Sequence, residues 1–499
     1  MNLLLLHPTP GLKRQRPYYR AALKIQERTG HKVIMAYNGP AIPDLGSDIP
    51  VYNFNAWVKP NRERIAATDI LELEKKYPAS NLWLAVVAER RVTNYSLLHG
   101  SYPTLRYDYE ELIFLLKALV LFYEEIIRKH DIKVIFAHHP DNIHSSLLFE
   151  MALSNQTLPL LMFPDYYWDN HCYFLFDDKY FTSSTLTKCY QDNLADYDQR
   201  VKPLEAEIRE YIARRVEEDP SEKRRDILPR LGLMNNAVNA FKTIRRQDLK
   251  FYVRKPEVVE GFGQVCLPTS IWSFLRRSVN LIRNRMSRIY ATQLPTGPFV
   301  YFPLQRVPEA AMLSRATAYL NQQGVAQALS AALPAGFKLV IKDHPRSVGV
   351  HPPEYYAKLL ELPNVIVMQA TYPNARIFAK TALVVTIAGT LGFQRLLQGK
   401  PVVMFGRKFY ECMEGVIRVA DMNDLPYVMK RILVQGEVPE REAMRKSVYC
   451  FIGALLMNRY LSSQDLFKLR MDSGALGSLM SEMIEREVPG LLEAVNRGG

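Results

Sequence analysis

Cysteine is scarce. The chain holds five, Cys172, Cys189, Cys266, Cys412 and Cys450, scattered and without a CxxC spacing. That excludes a disulfide scaffold and a structural zinc site, and points to a reducing compartment. No apolar run reaches the roughly 18 residues a membrane-crossing helix needs. The opening MNLLLLHPTPG has only four consecutive leucines, no basic segment before them and a Pro-Gly turn after them. It reads as a buried first strand and not as a signal peptide. Neither GxGxxG nor GxxxxGK[ST] occurs, which argues against dinucleotide and P-loop readings. No repeat of fixed period is present.

What is present is an apolar fraction of 48% over 499 residues, enough for ordinary cores and best matched by two large domains. A net charge of +13 and a pI near 9.3 call for an anionic partner: nucleic acid, an anionic membrane surface or a phosphorylated small molecule. Residues 2–6 read as a strand, 8–16 as a loop carrying Lys13, Arg14 and Arg16, 17–29 as a helix and 32–37 as a second strand. A long amphipathic helix over 107–130 leads to a strand at 134–137, a polar loop at 138–144, a helix at 145–154 and a strand at 160–163. Strand and helix alternate as in a parallel α/β sheet, whose strand carboxyl ends bind ligands.

The middle differs. Residues 203–218 form a charged helix, and 221–290 carry fifteen Lys/Arg against five Asp/Glu. Within that stretch Trp272, Leu275, Val279, Ile282, Met286 and Ile289 recur at helical spacing among Arg276, Arg277, Arg283, Arg285 and Arg288. The plainest reading is an ordinary surface helix packed on a domain. Docking on an anionic lipid surface is the second reading, and nucleic-acid binding the third.

A second α/β block starts near 298. Strands are expected at 299–302, 337–342, 365–368, 383–387 and 401–405, with helices at 308–333, 372–380 and 390–398, and helical structure from 421 to the end. The strand at 337–342 runs into Lys342, His344 and Arg346, three cationic groups at a strand end. Pro345 restricts the backbone around His344. The segment from Leu383 to Gln394 is strand, small-residue turn and helix. Gly389 and Gly392 would let a ligand approach the backbone. Thr386 and Thr390 offer hydroxyls, the first amides of the helix would face a phosphate, and Gln394 lies one turn in, within reach of a ribose.

KDHP (342–345), TIAGTLGFQRLLQGKPVVMFGRKFY (386–410) and YFPLQRVPEA (301–310) together resemble the donor-binding half of bacterial capsule-polysaccharide biosynthesis proteins, in order and in spacing. Kdo transferases of capsule and lipopolysaccharide assembly belong to that family. The Lys-x-His-Pro motif is also similar to that of GT-B sialyltransferases and polyglycerol-phosphate polymerases. The resemblance covers roughly residues 300–415. It implies an α/β, GT-B-like fold: two Rossmann-like lobes facing a cleft, with a basic helical middle segment. The corresponding division is 1–220 for the acceptor-side lobe, 221–297 for the basic segment, 298–460 for the nucleotide-sugar lobe and 461–499 for a helical tail, which in such chains often packs on the first lobe.

The resemblance further implies a glycosyltransferase that moves a sugar from a nucleotide-sugar donor, CMP-Kdo being favoured, to a saccharide or lipid-linked acceptor. Inversion, no bound metal and no cofactor beyond the donor follow from the same likeness. Lys342, His344, Pro345, Arg346, Thr386, Gly389, Thr390 and Gln394 are the expected donor-binding residues. Two departures stand out: Gln394 where the family usually has Glu, and Gln305 where it often has His. Glu309 of the same run is retained. The catalytic base is expected on the first lobe, from Asp141, His139 or Asp165, with His144 as a further acceptor-side group. Asp141 also reads as a cap for the helix that follows. The expected location is cytoplasmic, against the inner face of the cytoplasmic membrane, with 221–290 as the anionic-surface contact. Glycerol-phosphate or phospho-sugar transfer on the same scaffold, and a non-catalytic nucleotide- or saccharide-binding protein, are the alternatives.

Overall fold

The leucine run forms β1 (Asn2–His7), and its alternation decides the first core. Leu4 and Leu6 enter one apolar cluster and Leu3 and Leu5 the other, because successive strand residues point to opposite faces. β1 pairs in parallel with β2 (Lys32–Tyr37) on one side and β4 (Val134–Ala137) on the other. With β3 (Val51–Asn53), β5 (Leu158–Pro164) and β6 (Cys172–Phe176) the order is β3-β2-β1-β4-β5-β6, and β6 is antiparallel. A two-stranded sheet joins β7 (Phe251–Tyr252) and β8 (Val265–Cys266).

The second lobe holds six parallel strands: β9 (Phe299–Pro303), β10 (Lys338–Lys342), β11 (Val365–Met368), β12 (Leu383–Thr386), β13 (Val402–Met404) and β14 (Val416–Arg418). Their order is β11-β10-β9-β12-β13-β14. In each lobe the first three strands are added outward to one side of the sheet and the fourth to sixth to the other. That is the Rossmann order, with its reversal between the first and fourth strands. This computed structural model describes all residues except 8–11, 40–45, 90–106, 138–141, 165–171, 218–250, 253–256, 262–264, 307–308, 463–465, 467–471 and 498–499.

The helices that matter for the site are α1 (Leu12–Thr29), α2 (Tyr109–His130), α3 (Ile143–Asn155), α4 (Ser184–Ala195), α5 (Glu205–Glu217), α6 (Leu267–Met286), α7 (Ala310–Arg315), α8 (Pro353–Leu360), α9 (Asn374–Phe378), α10 (Thr390–Leu397), α11 (Arg441–Met457) and α12 (Ser473–Arg497). α2 starts where a capping box forms between Asp108 and Glu111. α1 begins five residues earlier than Pro17, so Lys13, Arg14 and Arg16 lie on its first turns and not on a loop. The helix expected over 308–333 is broken after Arg315, and a new one starts where the Asn321 side chain accepts from the Gly324 N–H. β3, β6, β7, β8, β14 and β15 (Tyr460–Leu461) were not anticipated.

The second lobe ends before residue 460. α11 already packs on α4 of the first lobe. Ser447 of α11 bonds the Tyr190 hydroxyl at 2.7 Å and accepts from the Glu414 N–H at 2.9 Å, so one serine ties both lobes. β15 then adds to β6 in antiparallel fashion, and α12 lies along α1. The tail is thereby part of the first lobe. The carboxyl edges of the two sheets meet through α7, which contacts the helix Trp83–Ala88. Beside that helix, buried Glu89 accepts from the Ile143 N–H that opens α3 behind β4.

Candidate active site

The strand order makes the carboxyl ends of β9 and β12 the place to look, because a crevice opens where the sheet reverses direction. Gln305 follows β9. Its N–H donates to Gln322 Oε1 at 2.6 Å, and Gln322 Nε2 donates back to its carbonyl at 2.9 Å. Gln305 Nε2 lies 3.5 Å from Thr386 Oγ1 at the end of β12. The Thr386 hydroxyl accepts from the Gly389 N–H at 3.0 Å, and the Gly389 carbonyl accepts from the Tyr410 hydroxyl at 2.5 Å. The turn is therefore braced from three sides before any ligand arrives.

These contacts give the glycines a role other than the expected one. Gly389 has an ordinary φ of −88°, so conformation does not demand glycine there. Space does: a Cβ would meet Gln305 Nε2 at 2.6 Å and Thr386 Oγ1 at 2.7 Å. At Gly392 a Cβ would meet the Tyr410 hydroxyl at 2.6 Å. Both glycines make room for the protein's own side chains. Thr386 is fully buried and its hydroxyl serves the turn. Thr390 opens α10 half-exposed, and no side chain caps the helix start, which leaves its amides and dipole for an anion.

At the end of β10, Lys342 is 2% exposed and its ammonium donates to the Tyr372 carbonyl at 2.8 Å. It anchors the loop leading to Asn374 from inside. Asp343 is buried too; it accepts from the Tyr356 hydroxyl and from the His344 N–H. His344 and Pro345 are half-buried at the surface end of this strand, and Pro345 opens a 3-10 turn with Arg346, whose side chain is not among the described ones. Gln394 lines an open cavity of about 240 Å³ between α9 and α10, shared with Arg215 and Val216 of α5 and with Asn374, Phe378 and Gln398. So Gln394 lines a pocket shared with Asn374 of the neighbouring helix.

A cationic group that sequence reasoning missed stands beside the switch point. Lys408 follows β13 and is half-buried, and burial with the neighbouring Arg315 charge lowers its ammonium to about 7 despite the opposing Glu309 carboxylate. The Arg315 guanidinium lies 4.1 Å from the Phe181 ring centre, and that of Arg407 4.4 Å from the Tyr180 ring centre. Arg407 also holds Glu411 with bonds of 2.7 and 3.0 Å. Tyr180 and Phe181 belong to the first lobe, so the cations sit where the lobes meet. Lys408 was findable by the signal that revealed Lys342, a basic residue just past a strand. Arg315 carries no such signal within its expected helix.

The first-lobe candidates fare differently. His139, Asp141 and Asp165 lie outside the described residues. The cap of α3 is Asn142, whose side chain accepts from the Ser145 N–H, so capping does not fall to Asp141. His144 is a correction. It is 1% exposed, bonds the Tyr123 hydroxyl at 2.6 Å and stands edge-on to Phe54. Burial lowers its pKa to about 3. It is a neutral core histidine and not an acceptor-side group. Among the described residues no cluster of three or more His, Cys, Asp or Glu could hold a metal ion, and no helix is long and apolar enough to cross a membrane.

No curated protein matches the chain. Among solved structures it is similar to the β-Kdo 2,7 transferase of Thermosulfurimonas dismutans KpsC, at 10% identity and a TM-score of 0.34, over 74% of this chain and 90% of that one. The β-Kdo 2,4 transferase of the same protein matches at 11% identity and a TM-score of 0.29, over 66% and 81%. Anabaena HepE in complex with UDP and glucose matches at 10% identity and a TM-score of 0.25, over 97% and 99%. These likenesses are distant, and the two-lobed fold stands on the strand order described above. The sequence model of the capsule polysaccharide biosynthesis protein family matches residues 290–425, a segment that contains β9 to β14, the braced turn and Lys408. Over residues 290–425 the second lobe is thus similar to the capsule polysaccharide biosynthesis proteins.

Proposed function

We propose that the protein is a glycosyltransferase of bacterial surface-polysaccharide assembly that moves a sugar, Kdo being the first choice, from a nucleotide-sugar donor to a saccharide or lipid-linked acceptor. The observation that carries this reading is the coincidence of the family match with the switch-point crevice, onto which the uncapped start of α10 opens. The anomeric carbon–oxygen bond to the donor phosphate breaks, and its electron pair stays on the phosphate. The acceptor oxygen bonds the anomeric carbon from the opposite side and gives its proton to a first-lobe base, with Asp141 and Asp165 as the carboxylates to test. The α10 amides, His344 and Lys408 stabilise the leaving phosphate, and no metal is required. Gln394 in its cavity, beside Asn374, takes the nucleoside.

The test is nucleotide release from CMP-Kdo and from UDP-, GDP- and CDP-sugars with saccharide acceptors, using the full chain and His344→Ala. Release from one donor, dependent on acceptor and lost in the variant, supports the reading. Release of a phospho-sugar or glycerol phosphate unit onto the acceptor would replace it with phospho-transfer. Gln305, whose amide is engaged with Thr386, favours one other outcome: nucleotide bound tightly with no turnover of any donor. That result would make the protein a binding module.

A further inference from the structure

Helix α6 is turned inside out. Trp272, Leu275, Val279, Ile282 and Met286 are between 47% and 76% exposed. At about 100° per residue they project within an arc of about 80°, along roughly four turns. The opposite side is polar and packed on the second lobe. Asn280 Nδ2 donates to the Val350 carbonyl at 3.3 Å, Asn284 Nδ2 to the His351 carbonyl at 2.9 Å, and Arg277 Nε to the Val348 carbonyl at 3.0 Å. Ser278, Asn280 and Asn284 are buried, while the apolar stripe faces out. Ile289, beyond the helix end, packs instead against the second-lobe core. Single exposed apolar residues need no explanation, but a continuous stripe marks a contact surface.

The charge around the stripe selects the occupant. Arg276, Arg283, Arg285 and Arg288 accompany it; Arg285 and Arg288 are exposed, and Arg283 pairs with Glu354. No Asp or Glu occurs between Glu260 and Glu309. We propose that α6 lies in the plane of an anionic lipid bilayer, with the Trp272–Met286 stripe at the acyl boundary and the arginines among the headgroup phosphates. The inner face of the same helix holds residues 348–351, the continuation of the loop that carries His344. Bilayer contact therefore brings that loop to within about one helix diameter, 10 Å, of the membrane. The inference does not depend on glycosyl transfer, since it rests on the helix alone.

The test is co-sedimentation of the full chain with vesicles of phosphatidylglycerol and phosphatidylethanolamine, against vesicles of phosphatidylcholine, with quenching of tryptophan fluorescence by brominated lipid. Binding to the anionic vesicles alone is expected, weakened by added salt. A Leu275→Ser, Val279→Ser, Ile282→Ser variant should bind about tenfold more weakly or worse with an unchanged melting temperature, and Arg285→Gln with Arg288→Gln should remove much of the anionic preference. Quenching should be largely lost in Trp272→Phe. No binding to anionic vesicles, or equal binding by the triple serine variant, overturns the proposal. So does a wild-type dimer that the triple variant converts to monomer, because a second copy would then cover the stripe.

Discussion

Two histidines read alike in the sequence and behave in opposite ways in the fold. His144 and His344 each follow a strand within a polar loop of their lobe. His144 falls inside α3, turns inward against Tyr123 and Phe54 and is sealed in the core. His344 is stopped at the strand end by Pro345 and remains half-buried beside the surface. The difference is one of local backbone: a helix start carries the first into the sheet-covering layer, and a proline holds the second out of a helix. The lobes differ likewise. The second presents a crevice whose polar groups are already bonded into place, whereas the loops that follow β1 and β4 at the corresponding place in the first lie outside the described residues.

The sharpest way to break this comparison is to truncate both histidines. His144→Ala should cost about 2–4 kcal/mol of stability by opening a core cavity and orphaning the Tyr123 hydroxyl, while protein that remains folded keeps its activity. His344→Ala should leave the melting temperature nearly unchanged and lower turnover about a hundredfold. Denaturant titration and initial rates on both variants decide it. The opposite pattern would exchange the two roles.

Acid sharpens the contrast. The unfolded chain protonates His144 near 6.5, whereas the folded one resists protonation down to about 3. The unfolded state then binds more protons between those values, so stability falls as pH drops through that window, by up to about 1.4 kcal/mol per unit. His144→Phe should flatten the slope measured by denaturant titration from pH 6.5 to 4. If the slope persists, other groups cause it.

Lys408 provides a smaller effect at neutral pH. Its ammonium, brought down to about 7, loses its proton as pH rises above that value. Nucleotide affinity should then fall between pH 7 and 9, by at most about tenfold per unit, and the dependence should vanish in Lys408→Met. Calorimetric titration at three pH values tests it. The smallest effect belongs to the tail. Arg28 of α1 holds Glu485 of α12 through bonds of 2.9 and 3.2 Å, both side chains being 42% exposed. Glu485→Gln should cost under about 1 kcal/mol, because solvent and salt screen such a pair, so the apolar α1–α12 contact holds the tail without it.

Much of the fold was legible in periodicity. The strand-helix alternation located nine of the parallel strands in substance, since a run such as Leu339–Ile341 has few other readings. β6 and β15 were not legible, because their pairing is antiparallel and joins residues 172 and 461, which no local pattern links. The motifs pointed to strand ends at the switch-point crevice but not to the directions of the side chains there. Lys342 is as charged as Lys408 in the sequence, yet it turns inward to the Tyr372 carbonyl. The α6 stripe was legible as a stripe. Which side of the helix would face the protein depended on Asn280 and Asn284 finding carbonyls at 350 and 351.

On the proposed function, the crevice between β9 and β12 binds the nucleotide of a sugar donor. Calorimetric titration of the full chain with CMP, CDP, UDP and GDP, repeated on Gly389→Val, tests it most directly. One nucleotide is expected to bind, and the variant to lose at least most of that affinity while it melts as one cooperative unit, because a side chain at 389 would displace Gln305 and crowd the Thr386 hydroxyl. Binding of equal strength by the variant would contradict it and place the nucleotide elsewhere in the molecule.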